Sequence, residues 1–134
     1  MSENDTPRIR SLVALGGGHG LSATLRAARL VAEHVTAVVT VADDGGSSGR
    51  LRRELGILPP GDLRMALCAL AATDDDHELL TRLFQHRYGG TGALAGHAVG
   101  NLVFAGLWEL LGDPVKALEA VGSVLGVTGR VLPM

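Results

Sequence analysis

The stretch VVTVADDGGSSGRL, residues 38–51, joins an apolar run directly to two carboxylates and a loop of glycine and serine. The run Val35–Val41 is rich in β-branched residues, which is typical of a buried strand in a parallel sheet. Ligands of open α/β sheets bind just beyond the carboxyl ends of such strands, where Asp43 and Asp44 stand. The glycines that follow can bring backbone N–H groups against an anion because they carry no Cβ. We therefore predict a site for a phosphorylated ligand. The loop residues predicted to contact it are Gly45, Gly46 and Ser47.

The composition is that of one compact domain. The chain has 134 residues, 46% of them hydrophobic, and its formal net charge of -2 argues against a broad nucleic-acid surface. Its single cysteine, Cys68, excludes an intramolecular disulfide and fits a reducing compartment. The polar N-terminus does not resemble a signal peptide, and no apolar run approaches the roughly 18 residues of a membrane span. We therefore expect a cytoplasmic protein that binds neither nucleic acid nor membrane.

A second glycine-rich stretch lies near the N-terminus, after a polar segment, residues 1–9, that we predict to be a disordered tail. Residues 11–15 predict a strand, a glycine loop follows at 16–20, and an apolar stripe at helical spacing begins after it. This order is the first half of a nucleotide-binding α/β unit, in which the N-terminus of the helix faces an anion. Within it, His19 either contacts ligand or faces solvent, and Ser22 either caps the helix or binds phosphate.

Three further polar residues follow the central stretch. Arg50 stands close enough to the glycine–serine loop to bind phosphate. Asp62, after two prolines, either caps a helix predicted over residues 63–72 or contacts the ligand. Arg64 in the first turn of that helix opposes the helix dipole, so we expect it to have an anionic partner, either Asp62 or a bound phosphate.

Two capping patterns and a buried helix organise the C-terminal half. Asp75 and Glu78 have the spacing of a capping box, which predicts a short helix. The segment AGHAVGNLVFAGLWELLG, residues 95–112, predicts a buried helix whose first turn contains Asn101. A buried Asn needs a partner, so Asn101 bonds either local backbone or a ligand, and His97 either caps the helix or binds ligand. Gly100 and Gly106 within this helix indicate close packing or close approach of a ligand. Gly112, Asp113 and Pro114 predict the end of this helix and the start of another. The last predicted element is a strand over 129–134.

Three of these stretches together resemble the YvcK/CofD family. They are GGGHGLS at 16–22, TVADDGGSSGRLRRELGILPPGDLR at 40–64 and HAVGN at 97–101. The DDGGSSG run is similar to the YvcK branch, whose members are called gluconeogenesis factors. The resemblance covers about residues 10–134 and implies an α/β fold with a Rossmann-like parallel sheet and flanking helices.

The resemblance also implies ligands. The YvcK-like branch is similar to proteins that bind UDP-sugars, such as UDP-glucose and UDP-N-acetylglucosamine, and that support cell shape and wall synthesis on gluconeogenic carbon. The CofD branch transfers a 2-phospho-lactyl group to a deazaflavin in coenzyme F420 synthesis, with a divalent metal. By resemblance, Asp43 and Asp44 would hold a ribose hydroxyl or Mg²⁺. The residues that would cradle phosphate are Gly17, Gly18, Gly20 and Ser22, and those that would complete the pocket are Asp62, Arg64 and Asn101.

The sequence departs from the family pattern in a few places. His19 stands where Thr is expected, Met65 where Asn is common and Ala98 where Ser follows the histidine, and each change alters a polar group near the site. The family domain is also more than twice as long. We therefore expect this chain to be the N-terminal portion of such a domain, with an exposed sheet edge that favours association into a homo-oligomer.

Four functions fit these observations. The first is a regulatory protein that binds a nucleotide-sugar, because the paired acids and the Gly/Ser loop lack an obvious nucleophile–base pair. The second is a transferase in which Asp43 or Asp44 holds Mg²⁺ against a phosphorylated donor. The third is an NAD(P)-dependent oxidoreductase, since Gly18, Gly20 and Ala23 match G-x-G-x-x-A, although a plain tight turn fits that pattern too. The fourth is an inert remnant of a longer protein.

Overall fold

The computed structural model describes residues 8–134, which form one parallel sheet and the helices that cover it. The strands pair in the order β1-β2-β3, and both pairings are parallel. They are β1 Ile9–Gly16, β2 Ala32–Val39 and β3 Gly129–Pro133. The helices of these residues are α1 Gly18–Val31, α2 Gly46–Leu55, α3 Gly61–Leu70, α4 Asp75–Gln85, α5 Val99–Leu111 and α6 Pro114–Leu125. The predicted α/β fold, with a Rossmann-like parallel sheet and flanking helices, is confirmed.

The helices pack against one face of the sheet. Ala14, Val35 and Val131 from the three strands share a buried cluster with Leu25 of α1 and Leu63 of α3. Crossovers between parallel strands are right-handed in nearly every known sheet, and two such crossovers that step in the same direction lie on the same face. Because β1, β2 and β3 follow one another across the sheet, both crossovers cover the same side.

The opposite face of the sheet is open. Val13 and Leu15 of β1 point to it and are 64% and 69% exposed, and Leu15 lies beside Val38 in the parallel register. Side chains alternate between the faces of a strand, so the buried Ala14 and the exposed Leu15 are neighbours in sequence but lie on opposite sides. Within residues 8–134, no helix is both long and apolar enough to cross a bilayer.

Several predicted boundaries shift. The second strand begins at Ala32 and ends at Val39, three residues before the predicted start and two before the predicted end. The predicted 16–20 loop is shorter, because α1 already begins at Gly18. The glycine–serine loop is helical from Gly46, since a buried face that includes Leu51 stabilises a turn of low intrinsic propensity. Of the predicted tail, residues 1–7 lie outside the described residues, and Ile9 begins β1.

Four predicted cap candidates are wrong and one is confirmed. Ser22 and His97 do not cap their helices, because the N-cap of α1 is Gly17 and that of α5 is Ala98. Asp74, not Asp75, caps α4, because its carboxylate accepts the backbone N–H of His77. Asp62 does not cap α3, whose N-cap is Pro60. The predicted break between the last two helices is confirmed. There Gly112 ends α5 with a φ of +72°, Asp113 caps α6 through the N–H of Val115 at 2.7 Å, and Pro114 is the first helical residue.

Candidate functional site

The carboxyl ends of β1 and β2 lie side by side. The backbone N–H of Thr40, just after β2, donates to the carbonyl oxygen of Gly16 at the end of β1, at 2.7 Å. The two glycine-rich stretches therefore leave the sheet at the same edge. This edge is where parallel α/β sheets bind ligands.

Asp62 connects the first glycine turn to α3. Its Oδ1 would lie 3.9 Å from a Cβ on Gly18, and burial raises the pKa of Asp62 against the lowering effect of the Gly18 backbone. A Cβ built on Gly17 would stand 3.5 Å from Asp62 Oδ2 and 3.3 Å from the carbonyl oxygen of Thr40. The absence of a side chain at Gly17 thus lets the carboxylate and the end of β2 approach the turn. Asp62, predicted to be a cap or a ligand contact, is part of the binding edge.

Asp43 lies on the other side of Asp62. Its Oδ1 accepts the backbone N–H of Gly45 at 2.9 Å, and its Oδ2 is 3.0 Å from the position of a Cβ on Gly61. Burial raises the pKa of Asp62, and the negative charge of Asp43 raises it further. The acids that meet at this edge are therefore Asp43 and Asp62. The adjacent Asp44 is exposed and forms an ion pair with Arg52.

Two carboxylates at one edge are suited to a divalent cation. Mg²⁺ prefers oxygen ligands and keeps several waters or phosphate oxygens, so two carboxylates can be its whole protein contribution. Asp43 and Asp62 supply such a pair, whereas Asp44 is engaged with Arg52. The described residues contain no group of three or more His, Cys, Asp and Glu side chains arranged for a metal.

A buried polar network lies behind this edge and joins four helices, α2, α3, α4 and α5. Arg64 donates from Nη1 to Oδ1 of Asn101 at 2.7 Å and from Nε to Oε1 of Gln85 at 2.7 Å. Asn101 Nδ2 in turn donates to Ser47 Oγ at 3.1 Å, and Ser47 Oγ lies 2.7 Å from His97 Nδ1. Asn101 is completely buried. From the sequence, Asn101 and His97 could each have either a structural role or a ligand contact. In the structure, both side chains hydrogen-bond Ser47.

The direct partners of Arg64 differ from the expected ones. Its guanidinium bonds two amide oxygens and not the Asp62 carboxylate. Burial lowers the pKa of Arg64, and the nearby charge of Arg87 lowers it further. These oxygens belong to Gln85 of α4 and Asn101 of α5, and they come near Arg64 only in the folded chain. The position of Arg64 within its own helix therefore could not identify them.

The two glycines of α5 have different roles. A Cβ on Gly100 would stand 2.8 Å from the carbonyl oxygen of Phe84 and 3.0 Å from Arg64 Cδ, so close packing explains this residue, as predicted. Gly106 has no atom within 4 Å of such a Cβ and is exposed, so the predicted close approach is wrong there.

Two arginines hold the segment that precedes α5. Arg50 donates to the carbonyl oxygens of Ala93 and, at 2.8 Å, Ala95. Arg87, which sequence reasoning missed, donates to the carbonyl oxygen of Gly96 at 2.8 Å. Burial lowers the pKa of His97, and the charge of Arg50 lowers it further. The only sequence signal for Arg87 is its place between a helix and a glycine-rich loop.

The remaining predicted contacts lie around the same edge but differ in exposure. His19 and Gly20 are exposed in the first turn of α1, and Ser22 one turn further on is buried. Gly45 and Gly46 are exposed at the start of α2. This edge of the sheet is thus an open rim of exposed glycines backed by buried polar side chains.

Comparison with known proteins identifies the family of this chain. A family model described as 2-phospho-L-lactate transferase CofD matches residues 12–134. A relative from Mycobacterium leprae (strain TN) is 67% identical over 124 residues, which are 92% of this chain and 34% of the relative. The protein named Gluconeogenesis factor in Bacillus subtilis (strain 168) is 48% identical over 122 residues, 91% of this chain and 38% of that protein. The chain thus spans little more than a third of these relatives.

Solved structures give the same result. A crystal structure of a Bacillus halodurans protein described as a member of the UPF0052 family matches with a TM-score of 0.85 at 46% identity, covering 94% of this chain and 39% of that one. A second crystal structure of a protein from this organism gives a TM-score of 0.84 at 47% identity. The resemblance predicted from the three sequence stretches is confirmed.

Proposed function

The chain belongs to the CofD family, and we propose that it forms part of a regulatory protein of the gluconeogenesis-factor type that binds a UDP-sugar. Relatives named gluconeogenesis factor support the assignment to that type of protein. The proposed role is cytoplasmic and links cell shape and cell-wall synthesis to growth on gluconeogenic carbon. Because the chain spans little more than a third of these relatives, the activity of a whole protein belongs to this proposal.

The observation that carries the proposal is the position of Asp62. Its carboxylate lies on the first glycine turn at Gly18 and beside Asp43, so one rim contains acids, glycine amides and the N-terminus of α1. A nucleotide-sugar offers both groups that such a rim can bind. Its diphosphate oxygens can accept hydrogen bonds from backbone N–H groups and can bind a metal ion. Its ribose hydroxyls can donate hydrogen bonds to a carboxylate.

Calorimetric titration with UDP-N-acetylglucosamine, with and without Mg²⁺, tests the proposal. We expect saturable binding that weakens about tenfold or more in Asp43→Ala, because a charge-assisted hydrogen bond contributes about 1.5–3 kcal/mol. Asp113→Ala is the matched control, since that carboxylate caps α6 and lies outside the rim. Equal affinity in Asp43→Ala and the unchanged chain would refute the assignment.

A second candidate function is transfer of a 2-phospho-L-lactyl group in coenzyme F420 synthesis. The pairing of Asp43 with Asp62 favours it, because two carboxylates can hold the divalent cation that neutralises charge on a transferred phosphoryl group. The description of the matching family model points the same way. Metal-dependent turnover of a nucleotide-activated donor with a deazaflavin acceptor would support this candidate. Binding of UDP-N-acetylglucosamine without any turnover would support the regulatory one.

A further inference from the structure

The ring of His97 is held by a chain of buried hydrogen bonds. Arg64 donates to Asn101 at 2.7 Å, Asn101 donates to Ser47 at 3.1 Å, and Ser47 Oγ lies 2.7 Å from Nδ1 of His97. His97 is 5% exposed and Ser47 is 3% exposed. All the groups are therefore shielded from water, which makes the direction of each hydrogen bond matter.

The donors and acceptors of this chain can be assigned in order. A guanidinium only donates, so the atom of Asn101 that faces Arg64 is Oδ1, and Nδ2 must face Ser47. Nδ2 donates to the Ser47 hydroxyl, whose own hydrogen then needs an acceptor. Among the described residues, the acceptor bonded to that hydroxyl is Nδ1 of His97. Reversing this last bond would leave a buried hydroxyl hydrogen without a partner, which is unfavourable. The ring proton of His97 therefore resides on Nε2.

The charges around His97 oppose a second proton. Arg50 bonds the carbonyl oxygens of Ala93 and Ala95, and Arg87 bonds that of Gly96, so two guanidiniums hold the segment leading into His97. Glu54 is the carboxylate that acts on the ring, and its effect is smaller than that of burial and Arg50. Within residues 8–134, the ion pairs of carboxylates involve neither Arg50 nor Arg87. A neutral donor beside two guanidiniums that bond backbone carbonyls, and that no carboxylate of the described residues neutralises, suits an anionic oxygen.

We propose that His97, held as the neutral Nε2–H tautomer by Ser47, is the hydrogen-bond donor of an anion subsite flanked by Arg50 and Arg87. The subsite binds a phosphoryl oxygen of the ligand. It lies on the cationic side of the rim, whereas Asp43 and Asp62 make the opposite side acidic. The identity of the whole ligand rests on the proposed function, whereas the tautomer and the subsite do not.

Long-range ¹H–¹⁵N NMR of the unmutated 134-residue chain tests the tautomer without any substitution. At pH 7 we expect His97 to show a pyridine-type Nδ1 and a protonated Nε2. Inorganic pyrophosphate should then shift the Nε2 signal saturably and leave that of the exposed His34 in β2 unchanged. A protonated Nδ1, an imidazolium at pH 7, or no shift of Nε2 with pyrophosphate would each overturn the proposal.

Two variants separate a donor role from a purely structural one. His97→Gln keeps an N–H donor near the position of Nε2, whereas His97→Ala removes it. We expect His97→Ala to weaken pyrophosphate binding about tenfold, the effect of losing one hydrogen bond to a charged group, and His97→Gln to recover part of that loss. Equal affinity in both variants and the unmutated chain would overturn the subsite.

A parallel titration with UDP-N-acetylglucosamine distinguishes the two proposals. If pyrophosphate shifts His97 Nε2 but the UDP-sugar does not bind, the subsite stands and the proposed function fails. If the UDP-sugar binds while Nε2 does not move, the proposed function stands and the subsite fails.

Discussion

Asp43 lies against Gly61, with its Oδ2 only 3.0 Å from the point that a Cβ of residue 61 would occupy. Ser48 Oγ lies 2.6 Å from the same point and accepts the backbone N–H of Gly61 at 2.9 Å. Real Cβ atoms do not approach other atoms as closely as 2.6 Å, so a side chain at residue 61 would have to displace the Ser48 hydroxyl and crowd Asp43. This contact brings Asp62, the next residue, to the rim.

Gly61→Ala should therefore damage both stability and binding. The added methyl must displace the Ser48 hydroxyl or the Asp43 carboxylate, and overpacking of this kind costs about 1–3 kcal/mol. Urea denaturation measures the loss, and titration with UDP-N-acetylglucosamine measures the effect on the site. Gly106→Ala is the matched control. That glycine is exposed within α5 and its Cβ would meet open space, so the change should stabilise the chain by about 0.5–1 kcal/mol. A neutral Gly61→Ala would contradict the contact.

Asp62→Asn should weaken the Mg²⁺-assisted binding of ligand. Burial and Asp43 raise the pKa of Asp62, so its ionised form is disfavoured in the folded chain, and a neutral amide of the same shape should not lower the melting temperature at pH 7. Loss of one carboxylate should nevertheless weaken metal-assisted binding about tenfold. Asp44→Asn should leave the Mg²⁺ dependence unchanged, because Asp44 pairs with Arg52. The reverse result would assign the metal to the adjacent pair.

Stability should fall at alkaline pH through Cys68. Burial raises the pKa of its thiol from 9.0 to about 11, so the unfolded chain ionises first. The stabilisation from the protonated thiol is complete below pH 9 and disappears as pH rises through about 11, by on the order of 2 kcal/mol. Denaturation of the unmutated chain and Cys68→Ala across this range measures the difference. A difference that does not change with pH would show that the thiol titrates normally.

Asp74→Ala should lower the melting temperature by a few degrees, because Asp74 accepts the N–H of His77 and caps α4. Hydrogen bonds from His77 lower the pKa of Asp74, so this stabilisation is present above the usual pKa and is lost as pH falls below it. Asp75→Ala, which changes a neighbouring helical residue, should have a smaller effect. A larger effect at Asp75 would restore the capping box predicted from sequence.

Leu15→Thr should reduce self-association. Leu15 and Val13 lie exposed on the open face of the sheet, and contiguous exposed apolar residues favour contact between copies. Light scattering after size-exclusion chromatography compares the unmutated chain with Leu15→Thr, and Leu30→Thr on the exposed side of α1 is the control. A monomer at high concentration in every case would count against the predicted homo-oligomer.

The regular elements could be predicted because their signals are local. An apolar β-branched run identified β2, helical spacing from Leu21 identified α1, and the Gly112–Asp113–Pro114 sequence identified the break between α5 and α6. Predicted and observed boundaries of the elements differ where two local signals compete. Gly46 and its neighbours predict a loop by propensity, but packing of the buried face of α2 makes them helical.

The sequence alone was sufficient to place acids and glycines at the carboxyl end of a parallel strand, because strand period, steric freedom and helix ends depend on neighbouring residues. It could not show which acids meet. The negative charge of Asp43 raises the pKa of Asp62, while Asp44 pairs with Arg52, and the approach of Asp43 to Asp62 depends on how α3 packs against the sheet. The contact of Ser47 with His97 has the same origin, since residues distant in the chain approach one another only when a shared hydrophobic core fixes their helices in place.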